Sequence, residues 1–209
     1  MRAQSEIAPS ASTPRFLGLW VGANLVGGFV IGLLESNGLQ FMATLVLTGA
    51  VVGTAQWLVL KPQGGFRWWP LASALGWIVS TLAVASLGGV YQPVANLLWQ
   101  TFGLWEVFWL NLVRAPLAVV GMALAQGWLL QRHGRFAAGQ AAPTLWGWLG
   151  VSVLGAALQG AVSATLCALL CAVLPSLLVG LVNGLGWAAY GLVTGIWLIR
   201  QRAGREESL

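Results

Sequence analysis

From Thr144 to Ile199 the chain runs for 56 residues without a charged side chain. As one helix rising 1.5 Å per residue it would measure about 84 Å, against a hydrocarbon core of roughly 30 Å, so the run has to turn back. Pro175-Ser176 lies near its middle. Proline has no amide hydrogen to give a helix interior and its ring clashes with the preceding turn, so the break is expected there. Two spans result, 146–174 and 177–199.

The same test locates four more apolar segments, 16–34, 39–60, 68–90 and 110–130. Glu35-Ser36-Asn37-Gly38 joins the first two through a tight turn in which Gly38 can adopt a positive φ, so the second must return antiparallel to the first. Only 7% of residues are charged, 58% are hydrophobic and the mean hydropathy is +0.80. A soluble domain carries about a quarter charged residues, so no water-soluble fold accommodates this chain. The expected fold is all-α, a polytopic membrane bundle of six transmembrane helices. Residues 91–109 mix Gln92, Asn96, Gln100 and Glu106 with Leu97, Leu98, Trp99, Trp105 and Trp109, which suits a helix in the interface or a re-entrant segment. Residues 1–15 and 200–209 read as cytoplasmic tails, the first disordered, flanking a single membrane domain over 16–199.

Cations orient the bundle. With both termini inside, Arg2, Arg15, Lys61, Arg67, Arg132, Arg135, Arg200, Arg202 and Arg205 all lie on the cytoplasmic side, and Arg114 is the exception. The net charge of +5 therefore reflects topology in a bacterial inner (plasma) membrane, N-in and C-in, and not nucleic-acid binding. Trp57, Trp68, Trp69, Trp128, Trp146, Trp148 and Trp197 are expected at the inner interface, Trp99, Trp105 and Trp109 at the outer one, and Trp77 and Trp187 inside.

Ala50-Val51-Val52-Gly53 recurs as Ala118-Val119-Val120-Gly121, and Ala55-Gln56-Trp57-Leu58 has an echo in Ala125-Gln126-Gly127-Trp128-Leu129. A basic loop and a Trp-led segment follow each, Trp69–Gly76 and Trp148–Gly155, so spans 2–3 and 4–5 read as two copies of one hairpin, with span 6 as the first half of a third. This tandem Gly-x-x-x-Gly-x-x-Gln-Trp pattern resembles a group of uncharacterised small bacterial multi-pass membrane proteins. The resemblance covers roughly residues 40–200, is closest over Gly49–Gly76, and implies architecture without mechanism.

Catalytic machinery is sparse. Aspartate is absent and His133 is the one histidine, in a basic loop across the bilayer from Glu35 and Glu106, so no triad, carboxylate pair, metal centre or haem ligand set can assemble. Neither an enzyme nor a cofactor is expected. Cys167 and Cys171 read as small buried core residues, because two positions on one continuous helix suit a disulfide poorly.

What remains are small-residue faces and isolated polar groups. Gly18/Gly22, Gly28/Gly32, Gly49/Gly53, Gly180/Gly184 and Gly191/Gly195 form small-xxx-small pairs that let helix backbones approach where lipid supplies no hydrophobic drive. Gln56, Gln126, Gln159, Asn24 and Asn183 must find hydrogen bonds on neighbouring helices. Arg114, beside Asn111, either snorkels, pairs with Glu106 or Glu35, or binds an anionic headgroup or solute. Two functions follow. One is a non-enzymatic assembly or scaffold subunit meeting a membrane-protein partner or a second copy through glycine faces. The other is a small-solute or lipid transporter using the buried amides and Arg114. The lipid bilayer is the partner common to both.

Overall fold

In a computed structural model of the chain, residues 12–63, 66–133 and 145–206 are described, and among them all regular structure is helical. The α-helices are α1 (Ser12–Leu34), α2 (Gln40–Met42), α3 (Thr48–Leu60), α4 (Trp69–Ser86), α5 (Gly88–Phe102), α6 (Glu106–His133), α7 (Leu145–Leu170) and α8 (Ser176–Glu206). Five to six of these stretches are long and apolar enough to cross a membrane. The ambiguity is the first, Pro14–Leu60, 47 residues of nearly continuous helix that turns at Asn37 and Gly38.

That turn follows from the four residues proposed for it. Gly38 takes φ +89°, which a side chain would disfavour. Asn37 Nδ2 and Ser36 Oγ donate to Leu33 O at 2.7 and 3.1 Å, covering a carbonyl left over at the end of α1. Past Met42 the helix widens at Ala43–Leu47 into a π turn. Side chains bond to carbonyls of this turn as well: Thr48 Oγ1 donates to Ala43 O at 2.8 Å beside its own backbone amide, Trp77 Nε1 to Thr44 O at 2.7 Å and Thr81 Oγ1 to Leu45 O at 3.4 Å.

Several boundaries differ from the sequence expectation. The third span ends at Ser86, and α5 begins two residues later, after Leu87, whose amide still reaches back to Ala83 and Val84. The region expected as an interfacial or re-entrant segment is a helix from Gly88 to Phe102, closed by positive φ at Gly103 and Leu104. Ser12–Arg15, expected as the end of a disordered tail, are helical, and so are residues 200–206. The rest of the first tail, residues 207–209, and the 136–143 loop lie outside the described residues.

The six long segments form a closed ring in the order α1, α3, α4, α6, α7, α8 and back to α1. Each neighbouring pair is antiparallel, as shown by Asn24 meeting Gln56 while Gly27 meets Val52, and by Gly191 meeting Asn24 while Gly180 meets Leu33. A ring whose members alternate in direction closes only with an even number, so the reversal at Gly38 is what lets α1 and α8 pack together.

Glycines set the spacing, with similar contacts recurring round the ring. A Cβ on Gly53 would strike Ser73, and one on Gly191 would lie 2.9 Å from Asn24 Cβ. Between one such pair and the next, Gly27 approaches Val52, Gly155 approaches Tyr190, and Gly76 meets Gly121 backbone against backbone. Gly28, Gly32, Gly49, Gly180, Gly184 and Gly195 are likewise filled from within the chain. Gly18 and Gly22 differ, with nothing within 4 Å.

At Gly76 and Gly121 the obstruction is a carbonyl on a facing helix, which cannot swing aside. Gly121→Ala should therefore lower the stability of the detergent-solubilised protein by about 1–3 kcal/mol, the usual cost of overpacking. Gly18→Ala should be neutral or stabilise by up to about 1 kcal/mol through helix propensity. Thermal unfolding of the two variants beside the parent checks both.

Candidate functional site

The bundle is solid at one end and hollow at the other. The solid end carries Arg15, Lys61, Arg67, Arg132 and Arg200 and is called the basic end below. Inside it Trp20, Trp69 and Trp148 are fully buried, with Trp69 edge-on to Trp20 at 6.4 Å and to Trp148 at 6.1 Å. Phe16, Leu60, Phe66, Leu129, Leu130 and Leu198 complete this layer. The finding corrects the expectation for two of the interfacial tryptophans: Trp69 and Trp148 face the bundle axis, whereas Trp68, Trp128 and Trp146 are the exposed ones. Three tryptophans of this end carry a cation over the ring, Lys61 over the half-buried Trp57, Arg67 over Trp68 and Arg132 over Trp128, at 5.2, 5.0 and 5.1 Å.

A hydrogen-bond chain crosses this layer. Gln56, with no exposed surface, donates from Nε2 to Asn24 Oδ1 at 2.9 Å and accepts at Oε1 from Trp69 Nε1 and Gln126 Nε2, at 3.1 and 3.0 Å. Gln126 Nε2 also donates to Ser73 Oγ at 2.8 Å. Asn24 Nδ2 in turn donates to Trp20 O, and Trp20 Nε1 to Thr194 Oγ1 on α8 at 3.0 Å. Five helices are thus linked, α1, α3, α4, α6 and α8. Two residues expected at a polar site, Gln56 and Gln126, are therefore structural ties within the solid half. Above them Val52, Trp77, Met122, Trp187 and Tyr190 form a second apolar layer.

Beyond that layer lies a cavity of about 680 Å³, within the usual range for small-molecule sites. Trp77 and Trp187, 5.9 Å apart between ring centroids, belong both to the second layer and to the cavity lining. The lining includes Glu35, Thr44, Thr48, Thr81, Asn111, Arg114, Gln159, Ser163 and Asn183. This polar wall, in a chain with so few polar side chains, is the candidate site.

Each polar group arrives there for a local reason. Glu35 projects from the start of the α1 turn and accepts from Thr44 Oγ1 at 2.7 Å, with Asn183 Nδ2 at 3.5 Å from its other oxygen. Asn111 donates back along α6 to Val107 O at 2.8 Å, which leaves its Oδ1 available. Gln159 and Ser163 pair along α7 at 3.5 Å. Arg114 stands one turn beyond Asn111 on α6, half-buried, and lines the same cavity as Glu35 with no contact ion pair between them among the described residues. Neither expected ion pair forms among the described residues, although Glu35 shares the cavity with Arg114. Glu106 is exposed in the first turn of α6, where a negative charge suits the helix dipole, and it does not line the cavity.

The cysteines are corrected outright. Cys167 and Cys171 form a disulfide, Cys167 is exposed, and both line the cavity. The objection to a disulfide assumed one continuous helix over 146–174. In fact α7 ends at Leu170, and Cys171 opens the turn into α8 with its Cα 4.6 Å from that of Cys167. Glu35, expected from the sequence as one partner for Arg114, and Asn183, expected to hydrogen-bond to a neighbouring helix, both line the cavity. Their signal was present, since a carboxylate beside a tight turn and an amide on the Gly180/Gly184 helix face both need polar company. Among the described residues no cluster of potential metal ligands occurs.

Compared with family models, curated proteins and solved structures, the chain matches none.

Gln56 offers a direct test of the tie between helices. Gln56→Leu leaves Asn24 Oδ1 and Trp69 Nε1 unpaired in a dry core, so it should cost about 1–3 kcal/mol, more than the roughly 0.6 kcal/mol typical of interhelical hydrogen bonds in membranes. A double-mutant cycle with Gln126→Leu, followed by thermal unfolding in detergent, should give clearly non-additive losses.

Proposed function

We propose that the chain is a non-enzymatic carrier of a small polar solute or lipid headgroup, which binds in the cavity between Glu35 and Arg114. The observation behind this reading is the cavity itself: opposite charges and several amides gather in one hollow of a chain of which only 7% is charged. Polar and ionisable groups at membrane depth are costly, and where they gather around a cavity they mark a binding site or pathway.

In this reading the bundle has six transmembrane helices, α1, α3 extended by α2, α4, α6, α7 and α8, arranged as three glycine-spaced hairpins with α8 and α1 as the third. The positive-inside rule puts the basic end and both termini on the cytoplasmic side of a bacterial inner membrane. The cavity then lies in the outer half, and α5 lies in the outer interface, packed mainly on α6. The tryptophan layer of the basic end closes the cytoplasmic side, so the arrangement corresponds to an outward-facing state, and transfer requires that layer to part.

A second reading, an assembly subunit, has one observation in its favour. Gly18 and Gly22, beside the exposed Leu19 and Val26, leave a small-residue stripe on α1 unfilled by the chain itself. The remaining glycine pairs are consumed inside the ring, which is why the carrier reading is preferred.

The carrier reading is tested by thermal unfolding of the purified protein across a panel of organic anions, amino acids and lipid headgroups, followed by flux into liposomes for any hit. Stabilisation and flux that Arg114→Gln removes, with helical content and solubility unchanged, are the expected result. An unresponsive panel, together with stable co-purification of another membrane protein that Gly18→Leu releases, would favour the assembly subunit instead.

A further inference from the structure

The two charges of the cavity sit on helices that face each other across the ring. In the order α1, α3, α4, α6, α7, α8, the turn that ends α1 is diametrically opposite α6, so Glu35 and Arg114 are separated by the lumen and not by a shared helix surface. Both line the same cavity, and among the described residues they form no contact ion pair. The carboxylate is held in place by Thr44 and Asn183, both of which donate to it. The amide oxygen of Asn183 and the hydroxyl oxygen of Thr44 stay free to accept, so this pole offers a negative charge ringed by acceptors. Arg114 is the converse. Its guanidinium carries five N–H donors and has no hydrogen-bond acceptor among the described residues. Trp105, whose buried Nε1 has no partner, lines the same cavity.

A simple anion would satisfy Arg114 and be repelled by Glu35, and a simple cation would face the reverse. A molecule carrying both charges meets each pole with its complement and leaves the cavity neutral overall, which matters where water is scarce. An ammonium supplies three donors to Glu35 and the acceptors around it, while a carboxylate or phosphate accepts the forked donors of arginine in bidentate fashion.

We infer that the cavity selects a dipolar ligand, with a primary ammonium against Glu35, Asn183 and Thr44 and a carboxylate or phosphate against Arg114. Free amino acids, phosphoethanolamine and the headgroup of phosphatidylethanolamine share that chemistry. The inference rests on the reading of the cavity as a binding site and narrows what that site accepts.

The experiment compares a dipolar probe with its halves on the full-length protein in detergent. Phosphoethanolamine, ethanolamine, inorganic phosphate and γ-aminobutyrate are titrated against the unfolding temperature and by calorimetry. At least one dipolar probe should bind about tenfold or more tighter than either half, since a second charge-assisted hydrogen bond is added. Arg114→Gln and Glu35→Gln should each reduce it to the level of the remaining half. The wild-type comparison decides the matter even if a variant fails to fold. A parallel arm places the protein in nanodiscs of phosphatidylethanolamine or of phosphatidylglycerol. Stabilisation by the former alone, sensitive to Glu35→Gln, with the soluble probes silent, identifies the lipid as the source and supports the inference. Phosphate binding as tightly as phosphoethanolamine, unaffected by Glu35→Gln, overturns the dipolar selection while leaving an anion site at Arg114. Silence of every probe and both lipids overturns the binding reading as well.

Discussion

Gln56 is where the ring is tied. Lipid is as apolar as leucine, so helices in it are not driven together by the removal of water, and close packing and hydrogen bonds must supply the association. Gln56 uses both ends of its amide, donating to α1 and accepting from α4 and α6. Because each partner sits on a different helix, the amide fixes rotation and depth for several helices at once. A slip of one residue in any of them would strand a polar group where no water can replace its partner. The glycines make the junction reachable. Without the approach of Gly53 to Ser73 and of Gly76 to Gly121, the backbones would stand too far apart for those side chains to meet.

The same constraint accounts for the hollow half. At the basic end the gaps between helices are filled by three buried tryptophans and by leucines, and at the level of Trp77 and Trp187 the filling stops. Beyond it the π turn at Ala43–Leu47 and the turns at 35–39 and 171–175 replace straight helix near the cavity. Ala43 O keeps a backbone bond from Thr48, and Thr48, Trp77 and Thr81 side chains add bonds to the carbonyls at Ala43–Leu45, so the widening costs few hydrogen bonds. A π turn of this kind is a frequent companion of functional sites. Here it sits beside Thr44, which positions Glu35.

Much of this was legible from residues alone, and the limits have a physical cause. The turn at Gly38, the break before Ser176 and the need of Gln56 and Gln126 for partners on other helices all followed from local chemistry. Periodicity could not say which apolar face meets lipid and which meets protein, because both are apolar. For that reason Trp69 and Trp148 were assigned to the interface when they fill the core, while their neighbours Trp68 and Trp146 are outside. The cysteines were misjudged because the end of α7 could not be placed to within a turn. Arg114 and Asn111 stood out as rare polar groups inside a span. Glu35 reads from the sequence as a turn residue and one partner for Arg114, and the closing of the ring sets the two on walls of one cavity in place of an ion pair.

That closure also determines the order in which the molecule can be completed. The face of α1 bearing Asn24, Gly28 and Gly32 is covered by Gly191, Trp187 and Asn183, which lie more than 150 residues later in the chain. During synthesis α1 is therefore finished long before its partner exists. Trp20 Nε1 waits for Thr194 while the intervening hairpins are inserted. The packing of α1 against α8 can form only after the helices between them have been made. Until then the cavity has no wall on the α8 side, and a ribosome stalled before Asn183 would leave behind an open groove in place of a cavity.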